Sequence, residues 1–518
     1  MKRKLWMGAA LLLIGFGNLQ AQSKLSVDKV YTAYMRNTGT IMENNQIKGY
    51  FFLYQSDKID RHTNEYTLQI LDQNLNKVKD IKFEDSKKLN LLEAAYNGGS
   101  LSFLFKNDDT KSLDMKIYSI DGKLLYTYGR DFDRKTDDLM KQYEATHTDE
   151  GTNQNVYNVG TDGYITVLPL RDGKQRTYEV DYFSSKERSQ FSYVPDDEED
   201  KYAYAEFMGS TDSLIILQVM KKHRALSTTA TAHLVGINIF TKKKQFEIEQ
   251  DDDKYQFVAT NIVSVQGSGD IMMMGSYFDK DANIMKDYSK GLAIYKINSR
   301  GNSISKTYNS WTGEFAKYLP TNSKGKIDDI GFLFIHKVMM TPDGKMFAVG
   351  EGYKRQASAL GIAMTVLGGG RSSFGVTKMV VTDMVMMEFD NKFKVKNAMI
   401  YDKSHNDAVT SSISDYNSQH TIALLIKAIG GFDYEFTTGE ADNSTFTVCY
   451  SDYERSKDYH GQTFNSIHYN GNKFSTDKIE LKSKAKMMRV FPAKAGSVMI
   501  MEYFKKDKRL DFRLEKLG

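Results

Sequence analysis

The chain holds a single cysteine, Cys449, so no intrachain disulfide can staple it. Five prolines in 518 residues exclude collagen, mucin-like stalks and Pro-rich linkers. Neither sign of charge is in excess, with 70 Lys+Arg against 66 Asp+Glu. Beyond the N-terminus no run of about 18–20 apolar residues exists of the kind a membrane-spanning helix needs. The nearest approach, Ala357 to Gly370, is 14 residues long and rich in glycine. Helical periodicity is scarce as well. What the chain has in abundance is strand material, including 32 Tyr and 29 Phe. That aromatic content with so little net charge excludes disorder over most of the length.

The first 21 residues, MKRKLWMGAALLLIGFGNLQA, are set apart from the rest. Lys2, Arg3 and Lys4 precede a 13-residue uncharged apolar run, Leu5 to Gly17, and Asn18 to Ala21 leads to a small residue at the cleavage point. This is the pattern of a secretory signal peptide, too short to span a bilayer, with cleavage expected after Ala21. It contains no cysteine for a lipid anchor. The expected mature chain, 22–518, then carries 67 basic and 66 acidic side chains. Such a balance gives no electrostatic footprint for nucleic acid, and export makes that partner unexpected. The destination is the periplasm or the cell surface.

Strand signals recur. Leu113, Met115 and Ile117 alternate with polar residues, and Asp121-Gly122 is a hairpin signal followed by a return strand. The same hairpin appears as Leu68 to Val78 and as Val385 to Val395: an alternating strand, then Asp, two polar residues, a hydrophobe, a polar or basic pair and Val. Weaker copies are Tyr178 to Lys186, Val235 to Phe246, Ala293 to Ile304 and Ile467 to Phe474, so the turns fall near Asp72, Asp121, Ser184, Thr241, Asn298, Asp390 and Asn470, seven in all. A preceding form, a turn and then an apolar run, recurs at Asp162 to Val167, Asp212 to Leu217, Gly269 to Met274, Asp343 to Val349 and Gly496 to Met501. Continuous apolar runs suit strands buried on both faces between packed sheets. Repeated small antiparallel sheets without linkers between them predict an all-β fold, a β-propeller of seven or eight blades. A series of β-sandwich domains is the competing layout, and it would need linkers. Residues 487–517 supply only about three strands. The N-terminal stretch Leu25 to Tyr34 is expected to complete their sheet and close the ring within a single domain.

No catalytic motif stands out. The nine histidines (His62, His147, His223, His233, His336, His405, His420, His460 and His468) show no i, i+4 pair of the zincin kind. His336, inside the apolar run Phe332 to Met340, reads as a core histidine. Cys449, in the strand-like Phe446 to Tyr450, reads as a buried thiol. Asp279, Asp281, Asn283 and Asp287 have alternating oxygen ligands, but Ile284 stands where a calcium loop needs glycine and the terminal Glu is missing. A solvated loop is the simpler reading. Asp196 to Asp200 and Asp251 to Asp253 read as solvated caps on strand ends. Neither GxSxG, GxGxxG nor a P-loop occurs; Gly267-Ser268-Gly269 lacks the frame. No cofactor, metal ligand set or catalytic residue is therefore assigned. The segment 357–378, with five glycines among Ile362, Met364, Val366, Leu367 and Phe374, reads as an inserted apolar loop, packed on the fold or offered to a partner. Tyr450, Tyr453, Tyr459 and Tyr469 fit either sugar or protein contact, or ordinary strand composition.

With its leader ending LQAQS, its ILDQNLNKVKDIKF-type hairpin and its all-β layout, the sequence resembles an uncharacterised family of secreted proteins from Bacteroidota. It also resembles WD-like propellers in blade rhythm, without their Trp-Asp signature. The resemblance implies export and a propeller-like fold, and brings no site residues. The expected function is an exported binding or scaffold protein of the cell envelope that contacts a protein or glycan partner. The alternative is a polysaccharide hydrolase or lyase working through central carboxylates.

Overall fold

A computed structural model describes residues 24–517 except 44–45, 145–153, 174, 197–201, 225–226, 228, 265–268, 358–376, 409–418, 486 and 495. The expected signal peptide, nearly all of the 357–378 loop, Asp197 to Asp200, and Gly267 and Ser268 lie outside the described residues. What is described is almost all β and forms a β-propeller.

Blade 1 consists of Gln46–Lys58, Thr63–Asp72 and Lys77–Ser86, with Thr32–Ala33 and Gly39–Glu43 both paired to the first of these. Blade 2 is Leu89–Tyr96, Ser100–Asn107, Ser112–Ser119 and Leu124–Asp131. Blade 3 is Tyr157–Val159, Gly163–Asp172, Gln175–Ser184 and Gln190–Tyr193. Blade 4 is Tyr202–Ser210, Leu214–Lys222, Thr231–Asn238 and Lys243–Glu249. Among the described residues one parallel bridge, Arg176 to Tyr202, joins blades 3 and 4. Blade 5 is Tyr255–Ser264, Ile271–Asp279, Gly291–Ile297 and Ser303–Ser310. Blade 6 is Phe332–Met340, Met346–Ala357, Thr377–Phe389 and Val395–Tyr401, with Asn406–Ala408 added. Blade 7 is Tyr434–Gly439, Phe446–Arg455, His460–Tyr469 and Phe474–Glu480. Blade 8 takes Met487–Pro492, Ser497–Phe504 and Arg509–Lys516 from the end of the chain and Lys24–Asp28 from its beginning.

The seven turn positions read from the sequence all fall between the third and fourth strands of blades 1–7, one per blade. Blade 8 has none, because its fourth strand comes from the other end of the chain. At Asp72 the carboxylate accepts the N–H groups of Asn74 and Asn76, both at 2.8 Å, and at Asp390 those of Lys392 and Lys394, both at 2.9 Å. This short-range capture of backbone donors is what makes the turn local and recurrent.

The second strands explain the unbroken apolar runs. Met272 and Met274 of blade 5 pack toward blade 6, whereas Ile271 and Met273 pack toward blade 4. Met499 and Met501 of blade 8 pack with Tyr50 and Phe52 of blade 1, and Val498 and Ile500 with Cys449 and Phe464 of blade 7. Each strand thus buries both faces, and the hydrophobic cores lie between blades. The succession of packed blades returns from blade 8 to blade 1, where the Phe52 and Phe512 rings are 4.6 Å apart. Outer strands such as Lys77–Ser86 and Phe474–Glu480 are charged and largely open to solvent, which discourages edge pairing.

Among the described residues two α-helices interrupt a chain that reads as strand throughout. The first, α1, Arg134–Glu144, follows blade 2. Asp133 caps it, accepting the Thr136 N–H at 2.7 Å. The second, α2, Gln419–Ala428, lies between blades 6 and 7. It ends on Gly430 at φ +66°, with Gly430 N–H bonded to Lys427 O and Gly431 N–H to Ile426 O, the pattern of a Schellman stop.

Candidate functional site

The first strands of blades 2, 4, 5, 6 and 7 each carry a bulge. The pairing register skips Leu92 in blade 2, Met208 in blade 4, Thr260 in blade 5, His336 in blade 6 and Glu435 in blade 7. A bulge leaves one residue unmatched and re-aims its side chain. Met208, Thr260, His336 and Glu435 line one cavity, which blades 3–7 and α2 border. The cavity has two adjoining lobes, about 680 and 820 Å³, the size of small-ligand sites.

Helix α2 forms one wall. It buries Ile422, Ala423 and Ile426 against Tyr353, Met379 and Val381, and turns His420, Thr421, Leu424 and Lys427 to the cavity. Lys427 crosses to Glu206 of blade 4 at 3.4 Å. Leu139 of α1 reaches the second lobe.

Aromatic rings make up much of the first lobe. Phe334 and Phe432 stack at 4.9 Å, and the His336 imidazole stacks on Tyr434 at 4.5 Å. The Tyr204 ring stands free in the cavity, 62% exposed, although protein surrounds it; burial pushes its hydroxyl up to about 12. Glu435 is in the same situation. It is open to the cavity, receives the Ser451 hydroxyl at 2.6 Å, and burial pushes its carboxyl up.

A buried charge cluster stands behind His336. The imidazole Nε2 lies 3.0 Å from Glu351, which also accepts the N–H groups of Asp433 at 3.0 Å and Tyr434 at 3.2 Å. Lys403 Nζ sits 3.2 Å from Glu351 and is bonded to Asp433, which takes a further bond from Asn406 at 2.7 Å. Burial holds His336 below its ordinary value despite the Glu351 bond, which favours the neutral ring. Burial opposes the Glu351 charge, but the His336 bond, Lys403 and the Asp433 N–H together hold it below the usual carboxylate range. Asp433 shares the one ammonium with fewer donors, and burial pushes it up to about 6.

The residues singled out in the sequence scatter. Cys449 is a core thiol, 1% exposed, pushed up by burial. His336 departs from its reading: it is buried, but at the cavity wall rather than in the apolar core. The Asp279 loop binds itself, since Asp287 accepts the Asn283 N–H at 2.6 Å and Asp279 pairs with Lys290 at 3.3 Å. Among the described residues no group of three or more His, Cys, Asp or Glu side chains is gathered as metal ligands would be. Asp252 is no solvated cap; it takes the Lys306 ammonium and the Tyr308 hydroxyl, both at 2.8 Å. Tyr450 and Tyr469 are buried between blades 6 and 7, while Tyr453 is exposed and the Tyr459 hydroxyl bonds Gln462 O at 2.6 Å. Glu206, Tyr204, Glu435, Lys337 and α2 went unrecognised; the one local signal was the Gly430-Gly431 stop after an apolar decamer.

A family model described as a family of unknown function (DUF6770) matches residues 1–518. No curated protein matches the sequence. Among solved structures, the chain is similar to the WD40 domain of SCAP from fission yeast (TM-score 0.38, 6% identity, 95% of this chain and 94% of that one). It is similar to prolyl oligopeptidase B from Galerina marginata (TM-score 0.40, 8% identity), covering 91% of this chain and 56% of that one. A third is the β-propeller domain of the Trilobed protease from Pyrococcus furiosus (TM-score 0.30, 9% identity, 72% and 97% covered). Among the described residues no helix is long and apolar enough to cross a membrane.

Proposed function

The chain belongs to DUF6770, a family of unknown function, and from this cavity we propose that it is an exported binding protein of the cell envelope whose ligand is a glycan, free or carried by a partner. One observation carries this reading: a cavity pairs aromatic faces (Tyr204, Tyr434, Phe432) with hydrogen-bonding side chains from blades 4 and 5 (Gln218 and Glu206, and Asn261). Sugars present apolar C–H faces and ringed hydroxyls, and such a wall answers both. Export rests on residues 1–21 and the Bacteroidota-like leader. The test is a thermal-shift panel of oligosaccharides on residues 22–518. A ligand that binds only the native state raises the melting temperature, and Tyr434→Ala should abolish the shift. A flat panel overturns the glycan.

A second reading has its own observation. Glu206 and Glu435 line the same lobe, and Glu435 is held toward its protonated form. An acid and a carboxylate facing one sugar is the equipment of a polysaccharide hydrolase or lyase. Release of reducing ends from a bound oligosaccharide, lost in Glu435→Gln with binding retained, would establish it.

A further inference from the structure

The second lobe is unevenly charged. Among the described residues Arg176 of blade 3, Lys337 of blade 6 and Lys427 of α2 line it, against one carboxylate, Glu206. Glu206 is engaged by Lys427 at 3.4 Å. Among the described residues neither Arg176 nor Lys337 has a carboxylate partner. Both are accessible to the cavity, and the surrounding protein is dense enough to hold the Lys337 ammonium below its ordinary value by burial alone.

Their placement is fixed by backbone, not chance. Arg176 bridges to Tyr202 and so joins blades 3 and 4. Lys337 directly follows the bulged His336, and both side chains face the cavity. Burial favours the neutral His336 ring, and Glu351, behind it, is committed to Lys403, so neither offers Lys337 a countercharge. Holding the Lys337 ammonium in so dense a surround is costly, and an oxyanion delivered to it and to Arg176 on the same lobe recovers that cost in a medium where charge interactions are strong. An arginine fork and a lysine point charge are the usual carboxylate-binding pair.

We propose that the ligand of this cavity is an acidic sugar, and that Arg176 and Lys337 receive its carboxylate. This rests on the glycan reading above. The decisive experiment titrates the protein with a uronic acid oligosaccharide, with its neutral counterpart bearing hydroxymethyl in place of carboxylate, and with inorganic phosphate. The acidic oligosaccharide should bind at least tenfold more tightly than the neutral one and weaken as salt rises. Lys337→Met and Arg176→Gln should each remove about tenfold from the acidic ligand and leave the neutral one unchanged. Equal binding of both sugars overturns the carboxylate site and leaves the glycan cavity standing. Binding of neither overturns both. Phosphate binding as well as the uronate assigns the site to a bare anion and overturns the acidic sugar. Without ligand, Lys337→Met should melt at the same temperature or higher, since it loses an uncompensated cation. A fall of several degrees would make Lys337 structural and sink its assigned role.

Discussion

Lys403 has no exposed surface, and neither does Glu351 beside it. A pair of this kind is worth little against an apolar substitute of the same shape, yet removing one partner is severe, because the other charge is left buried. Lys403→Met strands both Glu351 and Asp433, and should cost about 3–5 kcal/mol. The pH dependence identifies the cause. Without the ammonium the Asp433 carboxyl, already pushed up by burial, rises further, and Glu351 loses one of the groups that hold it down. A raised carboxylate stabilises below its unfolded pKa, and that contribution is lost as pH rises through the folded value. The deficit of Lys403→Met should therefore be greatest above pH 7 and shrink toward pH 5. Urea melts of both proteins at several pH values check this; a deficit independent of pH would assign the loss to packing. In the wild type the same sign holds for Asp433 alone, whose contribution fades as pH rises through about 6.

At the scale of single elements, the hairpins between third and fourth strands contain an oddity. Leu75 and Phe393 occupy the left-handed region, at φ +66° and +61°, where blades 2, 5 and 7 place Gly122, Gly301 and Gly471. Left-handed backbone costs a residue with a Cβ about 1–2 kcal/mol. The hydrophobe persists because its side chain docks onto the preceding blade: Leu75 is buried against blade 8, and Phe393 packs against the blade 5 side, where Asn309 donates to its carbonyl at 2.9 Å. Leu75→Ala and Leu75→Gly lose the same burial, but only glycine also relieves the strain. Leu75→Gly should therefore be the more stable by about 1 kcal/mol, the reverse of the order expected in a strand. Chemical denaturation of the two variants decides it. These turns were legible in the sequence because their determinants lie within a few residues: an Asx side chain, a period of two, a turn hydrophobe. Helix α2 was not. Ten apolar-rich residues, QHTIALLIKA, read equally as a buried strand, and only tertiary packing of Ile422 and Ile426 decides the period. The first-strand bulges were not legible either. A bulge at His336 or Glu435 belongs to the pairing of two strands, and nothing in either strand alone announces it. The cavity inherits that opacity, since Arg176, Glu206, Lys337 and Glu435 meet across four blades and some 260 residues of chain.

For the whole molecule, what matters is that every blade has two neighbours and that one blade is assembled from both chain ends. Lys24–Asp28 pairs residue by residue with Arg509–Lys516, Lys24 opposite Arg513 and Asp28 opposite Arg509. Val30 N–H bonds Lys508 O at 2.8 Å, and the Tyr503 hydroxyl bonds Tyr31 O at 2.9 Å. Leu25 and Val27 pack on the core between blades 8 and 1. Deleting residues 24–28 therefore removes hydrogen bonds, apolar burial and edge protection together. The two side chains and their ladder should cost about 3 kcal/mol or more. The damage should also be graded around the molecule. Blade 8 loses its hold on blade 1, so amides of Ser497–Phe504 and Arg509–Lys516 should exchange far faster. Leu214–Lys222 of blade 4, still flanked on both sides, should remain protected. The bared Arg509–Lys516 edge should drive self-association visible by size-exclusion chromatography. A uniform rise in exchange over all eight blades would instead mean that the molecule unfolds as one unit and that its ends bear on every blade alike.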